Sequence, residues 1–242
     1  VSTISIQSKA GVVLATESLT FYGTATSATA TVVKAVIGAS NDQDAILVNL
    51  KDAAGTTVSQ ATTFYVTSSD TTKIAGAYTA TATAITYSST NGTLGAGYLI
   101  PLTGSAAGTA NITVGTKSSA TATTGVNATA VEVRVGTTTA GSVKVALDKA
   151  SYAPGEKATL TVTLLDIDGA AVADGTYDQI FATGGITTNY VLGSGSDTTT
   201  AVKVHSAVGG VKKYTLYMPQ NTGDVIFSWT TYGTAVTGTA PT

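Results

Sequence analysis

Asp166, Asp168, Asp174 and Asp178 form the one acidic cluster of the chain. Carboxylates gathered this closely could supply the oxygens that a hard cation such as calcium takes. Asp166-x-Asp168-Gly169 begins as a calcium loop begins. The third acidic ligand, the glycine at position six and the glutamate at position twelve are missing. The same spacing fits a hairpin turn at Asp168-Gly169, with the other aspartates as solvated turn residues. Both readings stay open, and calcium is the one cofactor that the sequence offers. Asp42 and Asp44 form a weaker second candidate.

Other groups invite chemistry less. Asp148/Glu156 and Asp174/Asp178 could be paired carboxylates of a glycosidase, which needs two carboxyls about 5–10 Å apart in a cleft. Nothing in the pattern predicts a cleft, and the expectation is that the chain is no enzyme. Tyr214, Tyr217, Trp229 and Tyr232 could present rings to a sugar. Tyr214/Leu216 and Phe227/Trp229 also alternate as core strand residues do. The single His205 cannot build a histidine metal site and leaves little for acid–base work near neutral pH. With no cysteine there is no disulfide, no cysteine-held zinc and no thiol nucleophile. A net charge of −2 without a basic cluster argues against nucleic acid as a partner. No apolar run approaches the ~18 residues of a membrane span. No basic segment precedes an apolar stretch, so no signal peptide is read. The chain opens on Val1, which reads as processed or as a piece of something longer.

The elements that must position these residues are strands. Thr, Ala, Gly and Ser fill more than half of the chain, and charged residues only 11%, against about 25% in ordinary globular proteins. Hydrophobic residues at 43% still suffice for a core. Ile46, Val48 and Leu50 alternate with Leu47, Asn49 and Lys51; Val131, Val133 and Val135 with Glu132 and Arg134; Val143, Val145 and Leu147 with Lys144, Ala146 and Asp148; and Leu160, Val162 and Leu164 with Thr159, Thr161 and Thr163. Period two predicts antiparallel strands with one buried face. No stretch has a convincing helical period. The Ala-rich segments 28–39 and 75–84 are interleaved with Thr and are read as strand. Asn91-Gly92, Asp168-Gly169, Pro154-Gly155 and Ala54-Gly55 mark turns between them.

The chain repeats itself. Ala45–Val58 lies over Thr159–Val172 without a gap, a shift of 114 residues that aligns the apolar positions, Asp52 with Asp166, Gly55 with Gly169 and Val58 with Val172. Val131–Val135, Gly136, a Thr run and Val143-Lys144-Val145 resemble Leu19–Tyr22, Gly23, a Thr/Ala run and Val32-Val33-Lys34 at nearly the same shift. The phase divides the chain into 1–23, the last strands of a preceding module, then a module over 24–136 and another over 137–242. The second is expected to lack the strand equivalent to Val126–Val135. Gly136–Gly141 is expected to be a short exposed linker crossed by few contacts.

Tyr152-Ala153-Pro154-Gly155-Glu156, the alternating strand after it and the hairpin Asp166-x-x-Gly169-x-x-Val172-x-Asp174-Gly175 resemble the front half of bacterial immunoglobulin-like domains. The first module keeps the hairpin (Asp52, Gly55, Val58) and replaces the Pro-Gly-Glu turn with residues 38–44. The resemblance implies an all-β fold of tandem immunoglobulin-like β-sandwich modules. Such domains occur in adhesins, as spacers in exported enzymes, and in surface-layer (S-layer) proteins, whose Thr/Ala/Gly/Ser-rich composition this chain resembles most. The expected role is that of an extracellular, cell-surface structural subunit that contacts copies of itself. A cell-wall or surface glycan is a further expected partner. An adhesin stalk or an enzyme spacer is the alternative.

Overall fold

The computed structural model describes residues 2–178, 180–200, 204–232 and 237–239. The protein is all-β, with 49% of it in strands. Among the described residues the one helical element is a single 3-10 turn, Gly92–Leu94. Thr, Val and Ile dominate the strands because branched side chains sit well on a pleated surface.

An antiparallel pair comes first, β1 (Ser2–Gln7) with β2 (Val13–Leu19). The next eight strands are β3 (Ala25–Val32), β4 (Val36–Ile37), β5 (Asn41–Asp52), β6 (Tyr65–Ser68), β7 (Ala77–Ala80), β8 (Tyr98–Thr103), β9 (Gly108–Gly115) and β10 (Val131–Val135). They form a three-stranded sheet, β3-β5-β8, and a five-stranded sheet, β4-β10-β9-β6-β7. One core joins the two sheets as a sandwich: Ile46, Val48 and Leu50 of β5 and Tyr98 and Ile100 of β8 meet Val66, Ile112, Val114 and Val133. Tyr98 sits at its centre, its ring 5.0 Å from that of Phe64 and edge-on to Tyr87. Its hydroxyl donates to the carbonyls of Val58 and Gln60 at 2.8 Å each. Burial pushes that phenol up to about 12.

The remaining strands are β11 (Ser142–Leu147), β12 (Lys157–Leu165), β13 (Gly175–Asp178), β14 (Phe181–Thr188), β15 (Val204–Ala207), β16 (Val211–Tyr217), β17 (Phe227–Thr231) and β18 (Thr237–Thr239). Their sheets are β16-β12-β11-β18, β13-β15 and β14-β17. A second core gathers Val143, Val145, Leu160, Val162, Leu164 and Leu216 against Phe181, Ile186 and Phe227. Full burial of side chains this size is worth about 1.5–3 kcal/mol each. The alternation read in the sequence is seen in β12, where every second residue is buried.

The 114-residue shift carries β3, β5 and β8 onto β11, β12 and β16, and both sets pair in the same order. Two short strands escape the sequence pattern. β4 runs parallel to β10, and β18 runs parallel to β11. Thr237–Thr239 thus provides the second half with a parallel edge strand where none was expected. The Ala-rich segments are only partly strand, with β3 and β4 in the first and β7 in the second.

Candidate functional site

The acidic cluster and the junction are one place in the molecule. The hairpin after β12 turns at Gly169, whose φ of 79° is the left-handed conformation that glycine takes without cost. Asp166 caps the turn. Its Oδ1 accepts the N–H groups of Asp168 at 3.1 Å and Ala170 at 2.8 Å. The backbone closes the same turn, with Gly169 N–H donating to the Asp166 carbonyl and Asp166 N–H to that of Ala170. Asp166 Oδ2 faces the guanidinium of Arg134 at 3.3 Å, with the carboxylate 1% exposed and the arginine 23%.

Arg134 lies on β10 in the first half, so this ion pair crosses the junction. The same guanidinium donates to the Ala171 carbonyl. One backbone bond crosses as well, from Asp174 N–H to Val36 O at 2.7 Å, and Ala173 N–H holds the start of the second half through Thr137 O at 2.9 Å. Tyr177 adds its hydroxyl to the Ala173 carbonyl, and burial pushes its pKa up to about 12. Val36 and Ala173 are buried, although neither belongs to either core. A methyl group on Gly136 would meet Val36 Cγ1 at 2.6 Å and the Ala171 carbonyl oxygen at 2.9 Å. Only a residue without a side chain permits that approach. Residues 136–141 are therefore short, as expected, but contacts cross them and only Thr138 and Thr139 are exposed.

The four candidate metal ligands are accordingly committed or apart. Asp166 spends its oxygens on the turn and on Arg134. Asp168 sits in the turn itself. Asp174 Oδ1 accepts the Gly209 N–H. Asp178 lies on β13, its side chain outside the described residues. Among the described residues no three acidic or histidine side chains gather as a metal site would need. Asp42 lies on β5, its side chain likewise outside the described residues, and Asp44 occupies the register break of β5 with φ 59°.

The carboxylate pair Asp148/Glu156 also serves a turn. Asp148 accepts Thr159 N–H at 2.6 Å and the Tyr152 hydroxyl at 2.8 Å, and both hold it below the usual carboxylate range. The Lys149 ammonium and the Ala153 N–H do the same for Glu156. Neither carboxyl has the raised affinity for a proton that a general acid needs. Beside this turn lies an open cavity of about 340 Å³ between Leu147, Tyr152, Pro154, Met218 and Val225. The aromatic residues do not share a face: Tyr214 is buried in the core, Trp229 packs partly against it, and Tyr232 is exposed. His205 pairs through its backbone with Tyr177, its side chain outside the described residues.

Sequence reasoning missed Arg134. One signal was available: it is the sole arginine in the chain and stands two residues before Gly136. Its planar fork of donors can serve a carboxylate and a carbonyl at once, which lysine does poorly.

No protein-family model and no curated protein matches the chain. Solved structures similar to it include the Escherichia coli adhesin FdeC, at 16% identity and TM-score 0.32, covering 92% of this chain and 64% of that one. Domains 5–6 of the S-layer protein SbsC match at 21% identity and TM-score 0.26, covering 91% and 99%. The Yersinia pseudotuberculosis adhesin InvE matches at 15% and 0.25, covering 86% and 59%. The chain thus spans less than two thirds of either adhesin chain.

Proposed function

We propose that this chain is a load-carrying part of a cell-surface protein, built from immunoglobulin-like sandwiches fastened in series, and that its whole protein is a self-assembling surface-layer subunit. The observation that carries the reading is the junction. An ion pair, a side-chain and a backbone hydrogen bond and a glycine-sized approach tie one half to the next, where a flexible spacer would use few contacts. The titratable groups near it serve turns and the joint, which supports a role without catalysis. Low charge lets Thr- and Ala-rich faces pack against copies of the molecule with little repulsion. Extracellular placement belongs to the same reading.

The test is assembly of the full-length protein. Sheets should form on purification and survive about 0.5 M sodium chloride, because screening acts on exposed charges rather than on apolar contact. Dispersal by salt would contradict the reading. A protein that stays monomeric at every concentration would favour an adhesin stalk, which the same fastened junction would serve.

A further inference from the structure

The two halves build the same corner differently. Tyr214 faces Leu160 across β16 and β12 as Ile100 faces Ile46 across β8 and β5. Met218, after β16, therefore stands where Gly104 stands after β8. Both residues bond to the turn before the central strand: Gly104 N–H donates to Ser40 O at 3.0 Å, and Met218 N–H to Glu156 O at 2.9 Å. In the first half this corner is closed. A methyl group on Gly104 would collide with the Gly38 carbonyl oxygen and crowd Val135, and residues 104–107 lead straight into β9. In the second half the connection to β17 runs over 218–226, and the corner holds the cavity of about 340 Å³.

The cavity has a mixed lining. Leu147, Tyr152, Pro154, Met218 and Val225 supply apolar surface, and Ser151, Asn221, Thr222 and Asp224 supply polar groups. Among the described residues no lysine or arginine lines it, and Lys149 of the adjoining turn is paired with Glu156. The walls are pinned. The Tyr152 hydroxyl donates to Asp148 and accepts the Lys149 N–H, at 2.8 Å each. Gly155 N–H donates to Pro219 O at 3.2 Å. At the far end of the loop, Asn189 donates to the Asp224 carbonyl at 2.9 Å and accepts the Ile226 N–H at 2.8 Å. A site already held in shape loses little freedom when a ligand enters.

We infer that this cavity binds a neutral sugar ring. Its volume lies at the low end of small-molecule sites, about 300–1,000 Å³. The lining narrows the class further. An anion would meet the Asp224 carboxylate and no cation. A calcium ion takes about six to eight oxygens, and the lining has one carboxylate. An alkylammonium group only donates, so the Asn221 amide N–H groups would find nothing to bind in it. A sugar hydroxyl donates and accepts, so it uses the carboxylate, the amide and the hydroxyls together, while the C–H face of the ring lies on the apolar residues. The inference does not rest on the self-assembly proposed above.

Met218 is the sole methionine and is 4% exposed, so its methyl signal in NMR reports this cavity alone. The 242-residue chain, isotopically labelled at that methyl carbon, is titrated separately with methyl glucoside, methyl galactoside, methyl mannoside, N-acetylglucosamine and n-butylammonium chloride. At least one sugar should shift the signal and saturate, with a Kd of about 1–10 mM, as single rings bind weakly. Asp224→Ala should weaken that binding about tenfold or more, since a hydrogen bond to a charged group is lost. Asp224→Asn should weaken it less, because the amide oxygen still accepts. Asp224 is exposed, and both variants should melt like the parent. No saturable shift with any of these sugars would overturn the inference, and so would equal affinity in Asp224→Ala and the parent. Tighter binding of n-butylammonium than of every sugar would overturn it in favour of a cation site.

Discussion

The hairpin after β5 and the hairpin after β12 are built with the same bonds and joined to what precedes them with different ones. In each, an aspartate Oδ1 caps two N–H groups of the turn: Ala54 and Thr56 for Asp52, Asp168 and Ala170 for Asp166. In each, the glycine three residues on takes a φ near 80°. The second carboxylate oxygen is where they part. Asp52 takes a backbone N–H from Gly23, and Asp166 takes the side chain of Arg134. Local turn chemistry is thus fixed by the repeat, while the joint to the preceding strands is open to variation.

The largest effect should come from the two cores. Leu50 and Leu164 are equivalent under the repeat, and both are buried. Leu→Ala at such sites costs about 2–5 kcal/mol. Trp229, the sole tryptophan, packs on the second core and reports it alone. Leu164→Ala should lower the tryptophan-detected urea midpoint. Leu50→Ala should lower the circular-dichroism transition of the first half and leave the tryptophan midpoint in place. Equal movement of the tryptophan midpoint in both variants would mean that the chain unfolds as one unit, and the division at residues 136–137 would fail.

The joint comes next. Asp166→Ala removes the acceptor for two turn amides and leaves Arg134 without its carboxylate, a loss of about 1–3 kcal/mol. Gly136→Ala should cost a similar amount, since overpacking of a closed contact typically costs about 1–3 kcal/mol. Gly23→Ala is the control: its added methyl would meet Asp52 Oδ2 at 3.6 Å, an ordinary contact. Thermal melts of the three variants should rank Gly23→Ala nearest to the parent. A Gly136→Ala protein that melts like the parent would show that the junction is loose.

Much of this comparison is legible in the amino-acid sequence. Branched residues at period two mark β5, β11 and β12 directly. The gapless match of Ala45–Val58 with Thr159–Val172 preserves the aspartate that caps each turn and the glycine that allows it. The joint was not readable, for physical reasons. β4 and β18 are two and three residues long and parallel, so they carry no period. The Val36 carbonyl meets the Asp174 N–H through backbone atoms, which composition does not mark. Arg134 sits in a strand whose alternation explains only its neighbours. The acidic cluster leaves two readings open for a related reason: an aspartate that caps a turn and one that holds a cation occur beside the same glycines.

A smaller effect is expected with acid. The N–H groups of Gly23 and then Thr56 hold Asp52 below its ordinary 3.8. Those of Thr159, with the Tyr152 hydroxyl, do so for Asp148. A carboxyl lowered by folding lends stability above its unfolded pKa and loses it as pH falls through the folded one. The melting temperature should therefore hold from neutral pH to about pH 5 and decline below 3.8. Asp52→Asn should flatten that decline for the first half and leave the tryptophan-detected transition alone. A decline that begins near neutral pH would place the sensitivity in other groups.

The smallest expected effect is that of a chelator, and it separates the two hairpins from a pair of metal loops. Calcium needs six to eight oxygens with lone pairs to spare. Asp166 directs one oxygen to two amides and the other to a guanidinium, and a cation placed there would face the positive charge of Arg134. Asp52 is spent in the same way on three amides. A ligand that binds the folded state raises its stability in proportion to the logarithm of ligand concentration, about 2.7 kcal/mol at a hundredfold excess over Kd. Removing a resident ion would then lower the melting temperature by several degrees. The expected result is no shift on adding EGTA to protein prepared in calcium, followed through both the tryptophan and the circular-dichroism transitions. A fall in the tryptophan transition alone would locate an ion in the second half, and Asp166→Asn should then abolish the chelator response. A fall in both would place one in each module and make the hairpin aspartates ligands rather than caps.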